Sequence, residues 1–413
     1  MTKDIFFAGI DFGTSGARIA ICNYSKELVF SIDLKYKYEL SNPQDWLSSL
    51  KGLFYKTPKE IRAKIQALSI AGTSGTILAC NYEGSPIGKA LPYNIFCDEQ
   101  QTKLNFLSQD CSAIKESSSS LARALRLIDL NGEDILLRHQ ADWISGWLTK
   151  NWRYGEANNN FKLGWDEINK SWPLNFEKTK LKSTLPKVIE SGAIWGNIHP
   201  LIAKELDLSN KLIIFAGTTD SNAAVLSVNP SEEDGLTILG STIVLKKFVQ
   251  KPIKSPGITN YKILGKWICG GSSNSGCNVI SRFFSDSEIE ELSKQINTSI
   301  ESNLDLLPLL SPGERFPIYD PYLQPRLGPR PVSDSLYLQG LFEGFAKIEY
   351  LGWQSLTELS GSMPKRIITI GGGAINMQWR QIRKKLLNIP IISSKKPSAL
   401  GAAFIALDSF LKN

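Results

Sequence analysis

The chain carries one unusual turn twice: an apolar strand, a bend built from glycine and hydroxyl residues, and a second apolar strand. The first copy runs from Phe6 to Cys22, with Asp11-Phe12-Gly13-Thr14-Ser15-Gly16 at its centre, and the second is Leu236 to Phe248 around Leu239-Gly240-Ser241-Thr242. Short apolar runs flanking glycine and small polar residues read as antiparallel hairpins. Such a hairpin in each half of a 413-residue chain predicts a duplicated α/β architecture, two domains with a cleft between them. The polar, proline-containing stretch Asn229–Gly235 marks the break, so the expected domains are 1–228 and 229–413.

Between the hairpins the pattern alternates. The run Ile65 to Cys80 is a strand that turns at Gly72-Thr73-Ser74-Gly75-Thr76, and Ser117–Ser120 caps a helix that continues as LARALRLIDL. Residues Ala141 to Lys150 space their large apolar side chains as a helix does. A strand from Lys211 to Ala216 passes through Gly217-Thr218-Thr219-Asp220 into a small-residue helix. Near the C-terminus, RIITI leads into Gly371-Gly372-Gly373 and an amphipathic helix, and SALGAAFIALDSF forms a last helix of small residues suited to close packing.

Composition narrows the function classes. Hydrophobic residues make up 42% and charged residues 21%, ordinary for a globular protein. No apolar run approaches the roughly 18 residues of a membrane span, so no membrane partner is expected. The start MTKDIFFAGIDFG turns into a Gly/Asp loop and not into a small-residue cleavage site, which predicts a cytoplasmic protein, or a stromal one in a plastid-bearing source. The six cysteines (Cys22, Cys80, Cys97, Cys111, Cys269, Cys277) contain no C-x-x-C pair, and His139 and His199 are the two histidines. That is poor material for a zinc site or a Cys/His nucleophile, and reduced, buried thiols are the better expectation. The net charge of +7 is dispersed, with short doublets such as Lys384–Lys385 and Lys395–Lys396. It reads as solvated surface, with no nucleic-acid partner.

Four loops could carry chemistry, and each has a plain structural alternative. Gly13, Thr14, Ser15 and Gly16 offer donors and close backbone approach to phosphate oxygens, and Asp11 at the strand end is placed to hold Mg²⁺; the alternative is an ordinary turn. Gly240-Ser241-Thr242 is a second such bend. Gly371-Gly372-Gly373 sits at a strand-to-helix junction, where amides favour an anion. There Trp379 could stack on a purine and Asn376 could bond its polar edge, or Trp379 could be core. The spacing does not match G-x-G-x-x-G, which argues against a dinucleotide fold. Asp220 can accept the proton of an attacking hydroxyl, or can cap the helix that follows. The order of the four loops, phosphate hairpin, strand-end Asp, second phosphate hairpin and glycine-rich loop, gives them meaning together.

These residues resemble the FGGY carbohydrate kinases of the actin, Hsp70 and hexokinase superfamily, from about Phe7 to the C-terminus. Within that family the chain looks most like the short cyanobacterial and plant-plastid branch that includes D-ribulose kinases. The likeness rests on Ile10–Arg18, Gly72–Thr76, QADWISGWL at Gln140–Leu148, KLG at Lys162–Gly164, Ala216–Ser221, Leu239–Lys246, GERFPI at Gly313–Ile318 and GGGA-x-N-x-x-W at Gly371–Trp379. It implies two actin-like (RNase H-like) domains with an ATP/sugar cleft between them. It also implies ATP and Mg²⁺ as cosubstrate and cofactor, a small sugar as partner, and a monomer or homodimer. Asp11 would bind magnesium and the sugar, Thr14 phosphate, Ser74 the sugar, and Asp220 would be the general base. Ser241 and Thr242 would contact the β- or γ-phosphate, and the Gly371–Gly373 loop, Asn376 and Trp379 the adenosine. D-ribulose is the expected substrate, with D-xylulose, glycerol or another polyol as alternatives, and a nucleotide-dependent sugar sensor as an alternative of another class. Two departures stand out. The sugar loop of longer relatives, Trp-x-Asp-x-Arg-like, is replaced by Pro92-Tyr93-Asn94-Ile95-Phe96-Cys97, and a Thr-Asp-x-Ser-x-Ala-like segment by Gly155-Glu156-Ala157-Asn158-Asn159-Asn160.

Overall fold

The computed structural model describes residues 5–108 and 114–413. It divides into two compact units, the first comprising residues 1–229, 262–265 and 396–413, the second 230–261 and 266–395. Cys111 lies outside the described residues; Cys22, Cys80, Cys97 and Cys269 are buried free thiols and Cys277 is partly buried. Among the described residues no helix is long and apolar enough to cross a membrane.

The first unit contains β1 (Phe6–Phe12), β2 (Gly16–Cys22), β3 (Leu28–Lys35), β4 (Ile65–Gly72), β5 (Ile77–Cys80), β6 (Leu136–His139), β7 (Tyr154–Glu156), β8 (Lys187–Ile189), β9 (Ile194–Asn197) and β10 (Ile213–Thr219). Its main sheet has the order β3-β2-β1-β4-β10-β9, and the pairs β5-β6 and β7-β8 stand as small sheets. The hairpin expected at Phe6–Cys22 is present as antiparallel β1 and β2, while β1, β4 and β10 run parallel. Strand β1 is almost uniformly buried because both its faces are covered, as the unbroken run FFAGI requires.

One face is covered by the C-terminal helix Ser398–Phe410, whose small residues let it lie directly on β1. A Cβ on Gly9 would fall 2.1 Å from both the Ala399 carbonyl oxygen and the Ala403 nitrogen. A Cβ on Gly401 would fall 1.8 Å from the Ala223 carbonyl oxygen, so the same helix is also in close contact with helix Asp220–Ser227. Against the expected limits 1–228 and 229–413, the units divide at residues 229/230, and residues 396–413 group with the first unit because this small-residue helix fills the face of the first sheet.

The second sheet contains β11 (Asp234–Leu239), β12 (Ile243–Val249), β13 (Ile258–Ile263), β14 (Lys266–Ser272), β15 (Arg366–Ile370) and β16 (Ile391–Ser393), in the order β13-β14-β12-β11-β15-β16, all in the second unit except the last two residues of β13. The second predicted hairpin is the antiparallel pair β11 and β12, and β15 runs parallel to β11. Helix Asp334–Ser360 starts on the Ser333 cap and stops at Gly361, whose φ of 78° is the left-handed value favoured by glycine. It packs with helix Met377–Leu387 around Phe342, Phe345 and Trp379.

Candidate active site

In the first unit three adjacent parallel strands end level with one another. Phe12 of β1 and Thr219 of β10 both lie opposite Gly72 of β4. Asp11, the Thr73–Thr76 turn and Asp220 therefore emerge side by side at the carboxyl ends of the strands, where α/β sheets bind their ligands.

Asp11 faces Ser398 at the start of the C-terminal helix, whose hydroxyl donates to Asp11 Oδ2. Its other oxygen, Oδ1, is buried and has no hydrogen-bond partner among the described residues. Burial, and next the neighbouring Asp220 carboxylate, push the Asp11 pKa up to about 7, against the Ser398 hydrogen bond and the Arg18 charge. Asp220 is the first residue of its helix, and its Oδ1 accepts the Ser221 amide at 2.7 Å. The capping alternative for Asp220 does not hold, because the cap position belongs to Thr219, whose side chain makes no capping hydrogen bond.

The turn after β4 is held by residues that motif reading missed. Thr73 Oγ1 lies 2.6 Å from Thr76 Oγ1 and 2.8 Å from Gln140 Oε1, and the Thr73 amide donates to the same oxygen at 3.0 Å. Gln140 Nε2 reaches Tyr36 Oη at 3.4 Å, and that hydroxyl donates to the Gly13 carbonyl at 2.9 Å. Gln140 and Tyr36 thus link the Gly13–Ser15 bend to the Ser74 turn, with Thr14 Oγ1 3.3 Å from Tyr93 Oη.

Arg123 is fully buried and binds four carbonyls: Gly75 at 3.1 Å, Tyr93 at 3.0 Å, and Ile95 and Ser118 at 2.9 Å. It fastens the Ser74 turn to the 92–97 loop, the segment that departs from the longer relatives. Burial pulls its pKa down to about 10. The sequence offered one signal for it, an arginine on the apolar face of the helix begun at Ser119.

The second departure, Gly155–Asn160, is a buried polar network. Glu156 caps the turn by accepting the amides of Asn158 and Asn159, each at 2.9 Å. Asn158 Nδ2 reaches Thr218 Oγ1 at 3.3 Å, two residues before Asp220, so this segment supports the β10 end from behind.

In the second unit, Gly240–Thr242 and Gly371–Gly373 leave the neighbouring parallel strands β11 and β15 at one end, since Ile238 lies opposite Ile370. The bend is closed by the segment after β14: the amides of Cys277 and Asn278 donate to the carbonyls of Gly240 and Ser241 at 3.0 and 3.3 Å. Ser241 is exposed, as are Gly371 and Gly372.

Two adenosine expectations need correction. Trp379 is 2% exposed, and its ring stacks on Phe342 at 5.1 Å and 7°. A ring so enclosed belongs to the core and offers no face to a purine. Asn376 caps helix Met377–Leu387 by accepting the Trp379 amide at 2.9 Å, and its Nδ2 donates to Ser293 Oγ at 2.8 Å. Both ends of that amide are committed to structure. Gly372 and Gly373 lie within a 3₁₀ turn, Gly372–Ile375, that precedes the helix, so the glycine amides do not form its N-terminus.

The chain is similar to a xylulose kinase of Lactococcus lactis, 23% identical over 449 residues, covering 97% of this chain and 87% of that protein. Among solved structures it resembles a xylulose kinase from Brucella ovis (TM-score 0.83, 19% identity, 99% of this chain and 91% of the other). It resembles equally a Plasmodium falciparum glycerol kinase with ADP (TM-score 0.80, 19% identity, 99% and 90%). No family model matches the chain. At these identities the structural likeness establishes the fold, the two-sheet α/β architecture of the sugar kinases.

Proposed function

We propose that this chain is an ATP-dependent carbohydrate kinase acting on a pentulose, with D-ribulose as the first substrate to test. The observation that carries the reading is the alignment of Asp11, the Ser74 turn and Asp220 at three neighbouring strand ends. Similarity to xylulose and glycerol kinases along almost the whole chain supports the class.

In this reading Asp220 is the general base. It takes the proton of a terminal sugar hydroxyl as that oxygen attacks the γ-phosphorus of ATP, and ADP leaves. Ser74 and Asp11 orient the sugar. Gly13–Ser15, Ser241, Thr242 and the Gly371–Gly373 loop bind phosphate and the nucleotide through hydroxyls and amides. Magnesium suits the first unit, because Asp11 keeps a buried carboxylate oxygen without a protein partner and the ion prefers oxygen ligands. Asp11 would hold it, and when bound it would offset the negative charge of the phosphates.

A coupled ADP-release assay with Mg·ATP and D-ribulose, L-ribulose, D-xylulose, glycerol and a no-sugar control tests this. A kcat/KM preference for D-ribulose supports the pentulose reading in full. Preference for D-xylulose, the substrate named for several relatives, keeps the mechanism and replaces the sugar. ADP release indifferent to every sugar overturns the kinase reading.

A further inference from the structure

Away from those strand ends, the first unit has a cavity of about 490 Å³ whose lining is strongly one-signed. Arg138, Lys150, Arg153 and Lys187 line it beside Tyr82 and Trp152, and no aspartate or glutamate does. We propose that this cavity binds a small phosphorylated metabolite, a phosphate ester with at least two negative charges.

Arg138 is the reason to read the cavity as built. It is 2% exposed, on β6, and its guanidinium is anchored by three carbonyls: Trp152 at 2.5 Å, Leu137 at 2.6 Å and Thr184 at 3.0 Å. Those bonds use Nε and Nη1, and Nη2 has no hydrogen-bond partner among the described residues. No carboxylate oxygen comes within ion-pair distance of it there; Asp142 acts on it only at longer range. A buried cation without a counter-ion is costly, and desolvation pulls its pKa down to about 10. An anion in the cavity would relieve that cost, and a guanidinium held by its backbone partners is preorganised for phosphate.

The rim agrees. Several lysines elsewhere on this unit are paired, as Lys103 is with Asp129 and Lys170 with Glu167 and Glu190. Lys150, Arg153 and Lys187 line the cavity and have no acidic partner within 4.0 Å among the described residues. Lys150 instead lies 5.6 Å from the ring centres of Trp147 and Trp152. Its backbone is fixed in the left-handed conformation that ends helix Gln140–Thr149. Asp134, an acid beside the lining, is hydrogen-bonded to the Tyr82 hydroxyl. Volume and charge together suit a phosphate on a sugar-sized body.

The test is isothermal titration of the full chain with D-glucose 6-phosphate, inorganic phosphate and uncharged D-glucose. It compares wild type with the surface variant Lys150→Gln/Arg153→Gln/Lys187→Gln. The proposal expects one phosphate-dependent site per chain, no binding of glucose, and at least tenfold weaker binding in the triple variant, whose folding and basal ATP turnover stay as in wild type. Glucose 6-phosphate tighter than phosphate assigns the site to phosphate esters, and equal affinity assigns it to the phosphate group alone. Arg138→Met should abolish binding if it folds, but the surface variant decides without it. Equal binding by wild type and the triple variant, no binding at millimolar ligand, or a single-stranded oligonucleotide binding far more tightly than either phosphate overturns the proposal. None of these readouts depends on the chain being a kinase.

Discussion

The two sheets place polar and apolar residues in opposite order at matching positions. In the first, Ile10 lies opposite Ile70, and one residue later Asp11 lies opposite Ala71. In the second, Thr237 lies opposite Thr369, and one residue later Ile238 lies opposite Ile370. The hairpin bend follows after one further strand residue in each case, at Gly13 and at Gly240. The polar atoms of the second sheet are used internally. Thr237 and Thr369 both bond a buried ion pair, Glu349 with Arg383, in which Arg383 Nη2 meets Glu349 Oε1 at 2.7 Å. In the first sheet the polar atom sits at the strand end and keeps an oxygen unused by the protein. The first sheet leaves a carboxylate oxygen open at its strand end, and the second commits its polar atoms to a buried ion pair.

The largest effect should come from removing the carboxylate proposed as general base. Asp220→Ala is expected to lower the turnover of sugar by on the order of 10²–10⁴ while leaving nucleotide affinity nearly unchanged. Near-wild-type kcat in the coupled assay would deny Asp220 its role and with it the contrast between the sheets. In the second sheet the expected loss is of stability. Glu349→Ala strands Arg383 in the core and should cost about 3–5 kcal/mol in urea denaturation. The apolar pair Glu349→Leu/Arg383→Met should recover most of it, but with weaker ATP binding if the ion pair positions the bends. Full recovery of both stability and ATP affinity would reduce the pair to filler.

Trp379→Ala sharpens the same point. An enclosed ring costs about 3–5 kcal/mol of stability when truncated, whereas a purine-stacking ring would show its loss in nucleotide affinity. Trp379→Phe, which keeps the stack on Phe342, is therefore expected to bind ATP as wild type does. A selective loss of ATP affinity in that folded variant would return the residue to the nucleotide site.

Trp379 also marks how far the sequence could be read. The hairpins, the strand-to-helix turn at Asp220 and the glycine junction were legible because each is local: a period-two apolar run interrupted by residues that favour bends. Whether a tryptophan three residues after Asn376 faces solvent or core depends on Phe342 and Phe345, more than thirty residues away, and no local pattern carries that. The same limit hid Arg123, Gln140 and Tyr36, which act through backbone carbonyls and amides of distant loops. It also hid the return of Ser398–Phe410 to the first sheet. The helix was visible as a run of small residues suited to close packing, but nothing local said that Gly9 was its partner.

The smallest expected effect concerns how the units bury acids. The second pairs Glu349 with Arg383, whereas the first buries Asp142 and Glu156 among amides. Asp142 accepts the Glu156 amide at 3.1 Å and Asn160 Nδ2 at 3.0 Å, and no ion pair within 4.0 Å joins it to a lysine or arginine among the described residues. His139 lies 3.9 Å away, and burial pulls its pKa down to about 3, so it is neutral under ordinary conditions. Burial in turn pushes Asp142 up to about 7 and Glu156 well above the carboxylate range. A carboxyl group raised by folding favours the native state fully below its unfolded pKa of 3.8, and that contribution is lost as pH rises toward 7. Wild type should therefore melt at progressively lower temperature from about pH 5 to pH 8. Asp142→Asn, which keeps one acceptor oxygen for the Glu156 amide and cannot ionise, should show a shallower decline, with Glu156 and Asp11 supplying what remains. Parallel melting profiles for the two proteins across that range would mean that Asp142 is already ionised in the fold, and the difference between a paired and an unpaired buried acid would lose its consequence.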